Sequence, residues 1–128
     1  MTFASRVYRI AAIYGLIVLV PQYFLAERIG RDAPPPITHP EYFYGFVGVA
    51  IAWQLAFLVI ARDPLRYRPL MPVTCVEKLA FGIPAIALFL AGRLTGQMLA
   101  AGIVDLILCT LFVLAYLRTG GAPHDVRV

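Results

Sequence analysis

The sequence predicts an all-α polytopic membrane protein: a four-transmembrane-helix antiparallel bundle in which residues 1–128 form one integral membrane domain. Three observations predict it. Of the 128 residues, 61% are hydrophobic and 14% charged, against about 45–50% apolar and about 25% charged in a soluble domain. Mean hydropathy is +0.80, and a chain this short leaves much of its area exposed, so the surplus apolar residues must face something other than water. Those residues also fall into four runs of roughly 20, the length at which a helix crosses the bilayer core.

The first span is read at 8–27. Arg6 and Arg9 precede an apolar stretch interrupted only by Tyr14, Gln22 and Tyr23. It has the outline of a secretory signal, but the run continues past Pro21 and bulky Phe24 sits two positions before Ala26, so a retained helix kinked near Pro21 is expected. The stretch Glu27 to Glu41 holds Pro34, Pro35 and Pro36 and is expected to be a stiff, non-helical outer loop. Span two, 42–61, opens with Tyr42, Phe43 and Tyr44, an aromatic cluster suited to a headgroup interface. The connection Arg62 to Pro72 carries three arginines, and Asp63–Pro64 reads as an N-cap and N1 pair opening a short turn. Span three, 73–94, contains Pro84, which is expected to break it near its midpoint. A tight turn leads into span four, 97–117.

An even number of spans puts both termini beside the Arg62–Pro72 loop. That side collects Arg6, Arg9, Arg62, Arg66, Arg68, Arg118 and Arg127, against Arg28, Arg31 and Arg93 on the other. The positive-inside rule then predicts an inner-membrane protein with cytoplasmic N- and C-termini. The same distribution excludes nucleic acid as partner, since the net charge of +4 is spread over helix ends and gathered in no patch. Gly45, Gly48, Ala52 and Ala56 in span two, and Gly92 with Gly96, are stripes of small residues suited to close helix packing or to homodimer formation.

Ionisable groups inside hydrocarbon need a reason, because a charge at mid-span costs about 2.5–3.5 kcal/mol even on the lenient insertion scale. Asp105 stands out: it lies eight residues into span four, about 12 Å below the outer end. It shares a helix face with Met98, Ala101, Cys109, Phe112 and Tyr116, which is expected to point into the bundle. Arg93 or Gln54 is the expected partner. Glu77 lies nearer the cytoplasmic end and is expected to meet Arg62, Arg66 or Arg68, while Lys78 is expected to snorkel toward the headgroups without pairing with its neighbour. On these depths Glu77 and Asp105 are too far apart to act together. Arg66, Tyr67 and Arg68 form a candidate site for a lipid phosphate. Tyr14, Trp53, Phe57, Phe81, Phe89 and Phe112 are candidates for lining an apolar pocket.

Cys75 and Cys109 have no CxxC spacing and are expected to be inert buried thiols, while His39 and His124 fall outside the spans. No metal site and no cofactor is predicted. HExxH, GxSxG and Walker motifs are missing, which removes the common hydrolase and ATPase chemistries.

The layout of four spans, together with the stretches EYFYGFVGVAIAWQ, RDPLRYRPLM and VEKLAFGIP, resembles the small DoxX-like four-helix bacterial membrane proteins. The resemblance is one of layout and transfers no residue roles. The sequence therefore points to a non-enzymatic protein that binds a small lipophilic or lipid-like ligand, or a membrane partner, between spans two to four. Asp105, Gln54, Arg93, Glu77, Trp53 and Tyr116 are the candidate ligand-binding residues, and membrane lipids are the expected surroundings. Two alternatives stand beside it: a proton-coupled carrier acting as a dimer, and an isomerase or transferase on a lipid.

Overall fold

The computed structural model describes residues 2–32 and 37–120. The triple proline and the tail holding His124 and Arg127 lie outside them. Four helices are long and apolar enough to cross a membrane: α1 (Phe3–Tyr23), α3 (Pro40–Arg62), α4 (Met71–Leu90) and α5 (Gly96–Thr119). A short α2 (Ala26–Asp32) follows the first. There is no strand among the described residues, and the chain is an all-α bundle of four spans.

Local chemistry fixes the helix ends. The Thr2 hydroxyl accepts the Ser5 N–H at 3.2 Å and caps α1. Pro21 lies in the last turn of α1, where the Phe24 and Leu25 amides bond to the carbonyls of Pro21 and Gln22 and close the helix early. The expected non-helical loop begins later than predicted. Ala26–Asp32 is helical because it contains no proline and carries an Arg28–Asp32 pair at i,i+4 spacing, 3.5 Å apart. Pro40 occupies the first position of α3, where its missing N–H costs nothing. Beyond α3 the Asp63 carboxylate accepts the Arg66 N–H at 3.3 Å, forming the predicted turn, and a single 3₁₀ turn at Arg68–Leu70 leads into α4.

Two expectations on α4 are corrected. Pro84 does not break it: the helix runs unbroken to Leu90. Proline deletes one ladder bond, and in hydrocarbon no water competes for the bonds that remain. Gly92 and Gly96 form no packing pair within the monomer. Gly92 has φ +72°, Arg93 N–H bonds to Leu88 O at 2.8 Å and Gly92 N–H to Phe89 O at 3.0 Å, a Schellman stop. Nothing lies within 4 Å of where a Cβ would stand at either glycine.

Helix α1 packs against α3 and α5, and α4 packs against α5. The order around the bundle is therefore α3, α1, α5, α4. The backbones of α3 and α4 stay apart, and the Phe46 and Phe81 rings span the gap with centroids 6.0 Å apart. Helices α4 and α5 approach closely at Gly102, where an added Cβ would stand 2.5 Å from the Ala85 Cβ. In α3, by contrast, Gly45 faces open space and Ala52 is exposed, while Gly48 meets only the Tyr23 ring and Ala56 is half-buried, so the small-residue stripe draws no second helix close within the monomer.

The core sits at the end that carries both chain termini. Tyr8 stacks on Phe112 at 4.3 Å, and Phe57 meets both rings edge-on at 5.8 and 5.1 Å. The buried polar groups here are matched. Ser5 Oγ donates to Ala61 O at 2.6 Å, Thr74 Oγ1 donates to Met71 O at 2.6 Å, and the Tyr8 hydroxyl lies 2.8 Å from Thr74 Oγ1, to which it donates. On the outside Ile10, Ile17, Leu90 and Leu117 are all at least 65% exposed, a distribution that suits lipid and would be a liability in water.

Candidate functional site

The seam between α4 and α5 runs antiparallel through the hairpin at Ala91–Thr95, so residues equally far from the turn lie at one level. Cys75 faces Cys109, Lys78 faces Asp105, and Gly82 faces Gly102. The two thiols lie within 4.0 and 3.8 Å of each other's backbone carbonyls. Small residues at one level draw the helices together, and a charged pair one turn away is enclosed as a result.

Lys78 is the centre of this site. It is 5% exposed, and its Nζ lies 3.4 Å from Asp105 Oδ1, 3.6 Å from Glu77 Oε2 and 5.3 Å from the centroid of the Phe57 ring. This corrects four sequence-based expectations. Lys78 does not snorkel, because two carboxylates and an aromatic face compensate its charge where it stands. It does pair with Glu77, since its long stem bends back across the 100° between neighbouring residues. Glu77 turns into the bundle and does not meet Arg62, Arg66 or Arg68. And the two carboxylates are not too far apart: the lysine side chain spans the difference in depth between them, and both touch the same ammonium.

Asp105 also lacks the partners expected for it. Arg93 follows the glycine stop of α4 and is exposed at the hairpin end. Gln54 is 1% exposed, but its amide Nε2 donates to Ala50 O at 3.0 Å within its own helix. Its Oε1 lies against Gly15 of α1 and has no hydrogen-bond partner. Glu77 Oε2 likewise accepts no hydrogen bond. A Cβ at position 15 would collide with the Gln54 amide, so glycine there is what admits Gln54.

These groups border a half-open cavity of about 640 Å³ lined from all four long helices. Tyr14, Gly15, Val18, Leu19 and Gln22 form a wall from α1, of which the sequence singles out only Tyr14. Phe46, Val49, Trp53 and Gln54 come from α3, Val76, Glu77, Lys78 and Phe81 from α4, and Met98, Ala101 and Asp105 from α5. The predicted inward face of α5 therefore holds, with Cys109 and Phe112 buried below the cavity. Of the candidate ligand-binding residues, the fold brings together Asp105, Glu77, Gln54 and Trp53. It leaves Arg93 and Tyr116 outside.

Tyr116 belongs to the other end of the bundle. Arg68 stacks over its ring at 3.8 Å and donates through Nε to its carbonyl at 3.1 Å. Of the proposed phosphate site, Arg68 is thus turned onto the protein, and exposed Arg66 lies 5.6 Å from the Tyr67 ring. Among the candidate pocket aromatics, Tyr14, Trp53 and Phe81 line the cavity, whereas Phe57 and Phe112 are core and Phe89 faces outward.

The site can supply a polar anchor at one side of an otherwise apolar, aromatic chamber. Among the described residues no three His, Cys, Asp or Glu side chains gather as metal ligands. Compared with family models, with curated proteins and with solved structures, the chain matches none of them.

Proposed function

We propose that this is a non-enzymatic membrane protein that takes a small lipid-like molecule out of the bilayer and holds it between α3 and α4. The observation that carries this reading is the cavity itself. It is of ligand size, it is lined by apolar and aromatic side chains with a few convergent polar groups, and it stands beside the one gap in the helix ring. The apolar body of the molecule would lie along Val49, Trp53 and Phe81, with its polar head at Asp105, Glu77 and Gln54. Phe46 and Phe81, meeting ring to ring across the gap, would part to admit it from the side.

The arginine distribution supports an inner membrane with both termini in the cytoplasm, which would set the polar site on the cytoplasmic side of the cavity.

Native mass spectrometry of the protein released from a mild detergent tests the reading. A small-molecule or lipid adduct is expected on the wild type. It should be lost in Val49→Trp and Ala80→Phe, two exposed lining positions where a larger side chain fills the cavity without disturbing the core. An adduct retained equally in both variants would place the molecule elsewhere and sink the proposal.

A further inference from the structure

The charged lining of the cavity does not balance. Its charged residues are Glu77, Lys78 and Asp105, two carboxylates against one ammonium. The hydrogen-bond inventory is lopsided in the same direction. Gln54 Oε1, lying against Gly15, is a buried acceptor with no donor, and Glu77 Oε2 has only the 3.6 Å ion pair to Lys78, while the donors nearby are already used: Gln54 Nε2 on Ala50 O, Gln22 Nε2 on Val18 O, and Lys78 between its two carboxylates. Buried acceptors without donors are costly, and a surplus charge in hydrocarbon more so. A molecule that completes this site brings a positive charge and N–H donors together.

We infer that the cavity selects amphiphiles with a protonated amine head, an organic ammonium seated between Glu77, Asp105 and Gln54. An anionic head would add a third negative group to the two already present. A neutral alcohol would bring one donor and leave the surplus charge where it is. The aromatic lining favours the same class. Tyr14, Phe46, Trp53 and Phe81 line the cavity and aromatic rings attract cations, and the site already holds one in this way, with Lys78 5.3 Å from the Phe57 ring. The inference rests on the ligand-binding reading above and adds the charge and donor character of the ligand.

Trp53 is the one tryptophan in the chain and it lines the cavity, so its fluorescence reports occupancy directly. The test titrates the full-length protein in a nonionic detergent with nonylamine, nonanol and nonanoate at neutral pH. These probes share a chain length and differ in head charge. Nonylamine is expected to bind about tenfold or more tightly than either control, the lower end of what a charge-assisted hydrogen bond supplies. Asp105→Asn and Glu77→Gln should each reduce that preference to about twofold or less. Lys78→Met, which removes the internal competitor for the carboxylates, should raise nonylamine affinity by about tenfold.

Several outcomes overturn the inference. Nonanol or nonanoate binding as tightly as the amine removes the charge argument and leaves the cavity reading intact. No fluorescence response to any of the three probes removes both. Unchanged amine affinity in a folded Asp105→Asn protein also overturns it. Should that variant fail to fold, an unchanged amine affinity in Lys78→Met does the same.

Discussion

The two ends of the bundle solve the problem of buried polarity in opposite ways. At the end carrying both termini, Tyr8, Phe57 and Phe112 close into a ring cluster, and the polar atoms of Ser5, Thr74 and Tyr8 each find a partner between 2.6 and 2.8 Å away. Toward the hairpin α3 and α4 part, Gln54 Oε1 goes unpaired, Glu77 Oε2 is left with a single ion pair, and three charged groups share one pocket. A bundle of this size needs only one half to be close-packed to hold its shape. The other half is free to carry groups that stability alone would not select. Lys78 lies at the boundary, over the Phe57 ring on one side and between the carboxylates on the other.

The sharpest test of the contrast is to truncate one ring in each half. Phe112→Ala should cost about 4 kcal/mol of unfolding free energy, the usual loss for a fully buried phenylalanine, in reversible denaturation from mixed micelles. Phe46→Ala, at a half-exposed cavity position, should cost about 1 kcal/mol or less. Equal losses would show that the halves are packed alike. The boundary residue comes next. Lys78→Met leaves two carboxylates uncompensated and should cost about 3 kcal/mol. In a double-mutant cycle with Asp105→Asn the coupling should be about 1 kcal/mol or more, and a coupling near zero would mean that the pair contributes nothing to the fold.

The helix crossing offers a third comparison. Gly102→Val drives a side chain into Ala85 and should cost about 2 kcal/mol. Gly45→Ala, facing open space, should stay within about 0.5 kcal/mol. Tyr8→Phe, which removes one hydrogen bond, should cost about 1 kcal/mol. If Tyr8→Phe cost as much as Phe112→Ala, hydrogen bonding rather than ring packing would hold that end together.

Much of this was legible in the sequence for identifiable reasons. The four spans follow from the lengths of the apolar runs, and the inward face of α5 follows from its helical period. Boundaries moved by a few residues where local chemistry acted: the early end of α1 at Pro21 and the Gly92 stop on α4. The candidate site was half legible. Asp105, Glu77, Gln54 and Trp53 were found because a polar or amphipathic group inside a span stands out against its neighbours. Lys78 was misplaced because a lysine near a helix end can reach water along the helix surface, and only the packing of α5 and Phe57 around it removes that route. One signal could have located it. Lys78 and Asp105 stand at equal distances from the Ala91–Gly92 junction, so a hairpin folded there sets them level.

The sequence by itself determined the solvent, the number of spans and that the first and last spans open and close at the same end of the bundle. These depend on composition and on local period, which a chain carries at every point. Tertiary structure alone decided which charges meet, where the helix ring stays open, and that the first helix walls the cavity. Those depend on rotation and register between helices. Here both are set by close approaches at glycine and alanine, Gly15 to Gln54 and Gly102 to Ala85, whose effect depends on what stands opposite them.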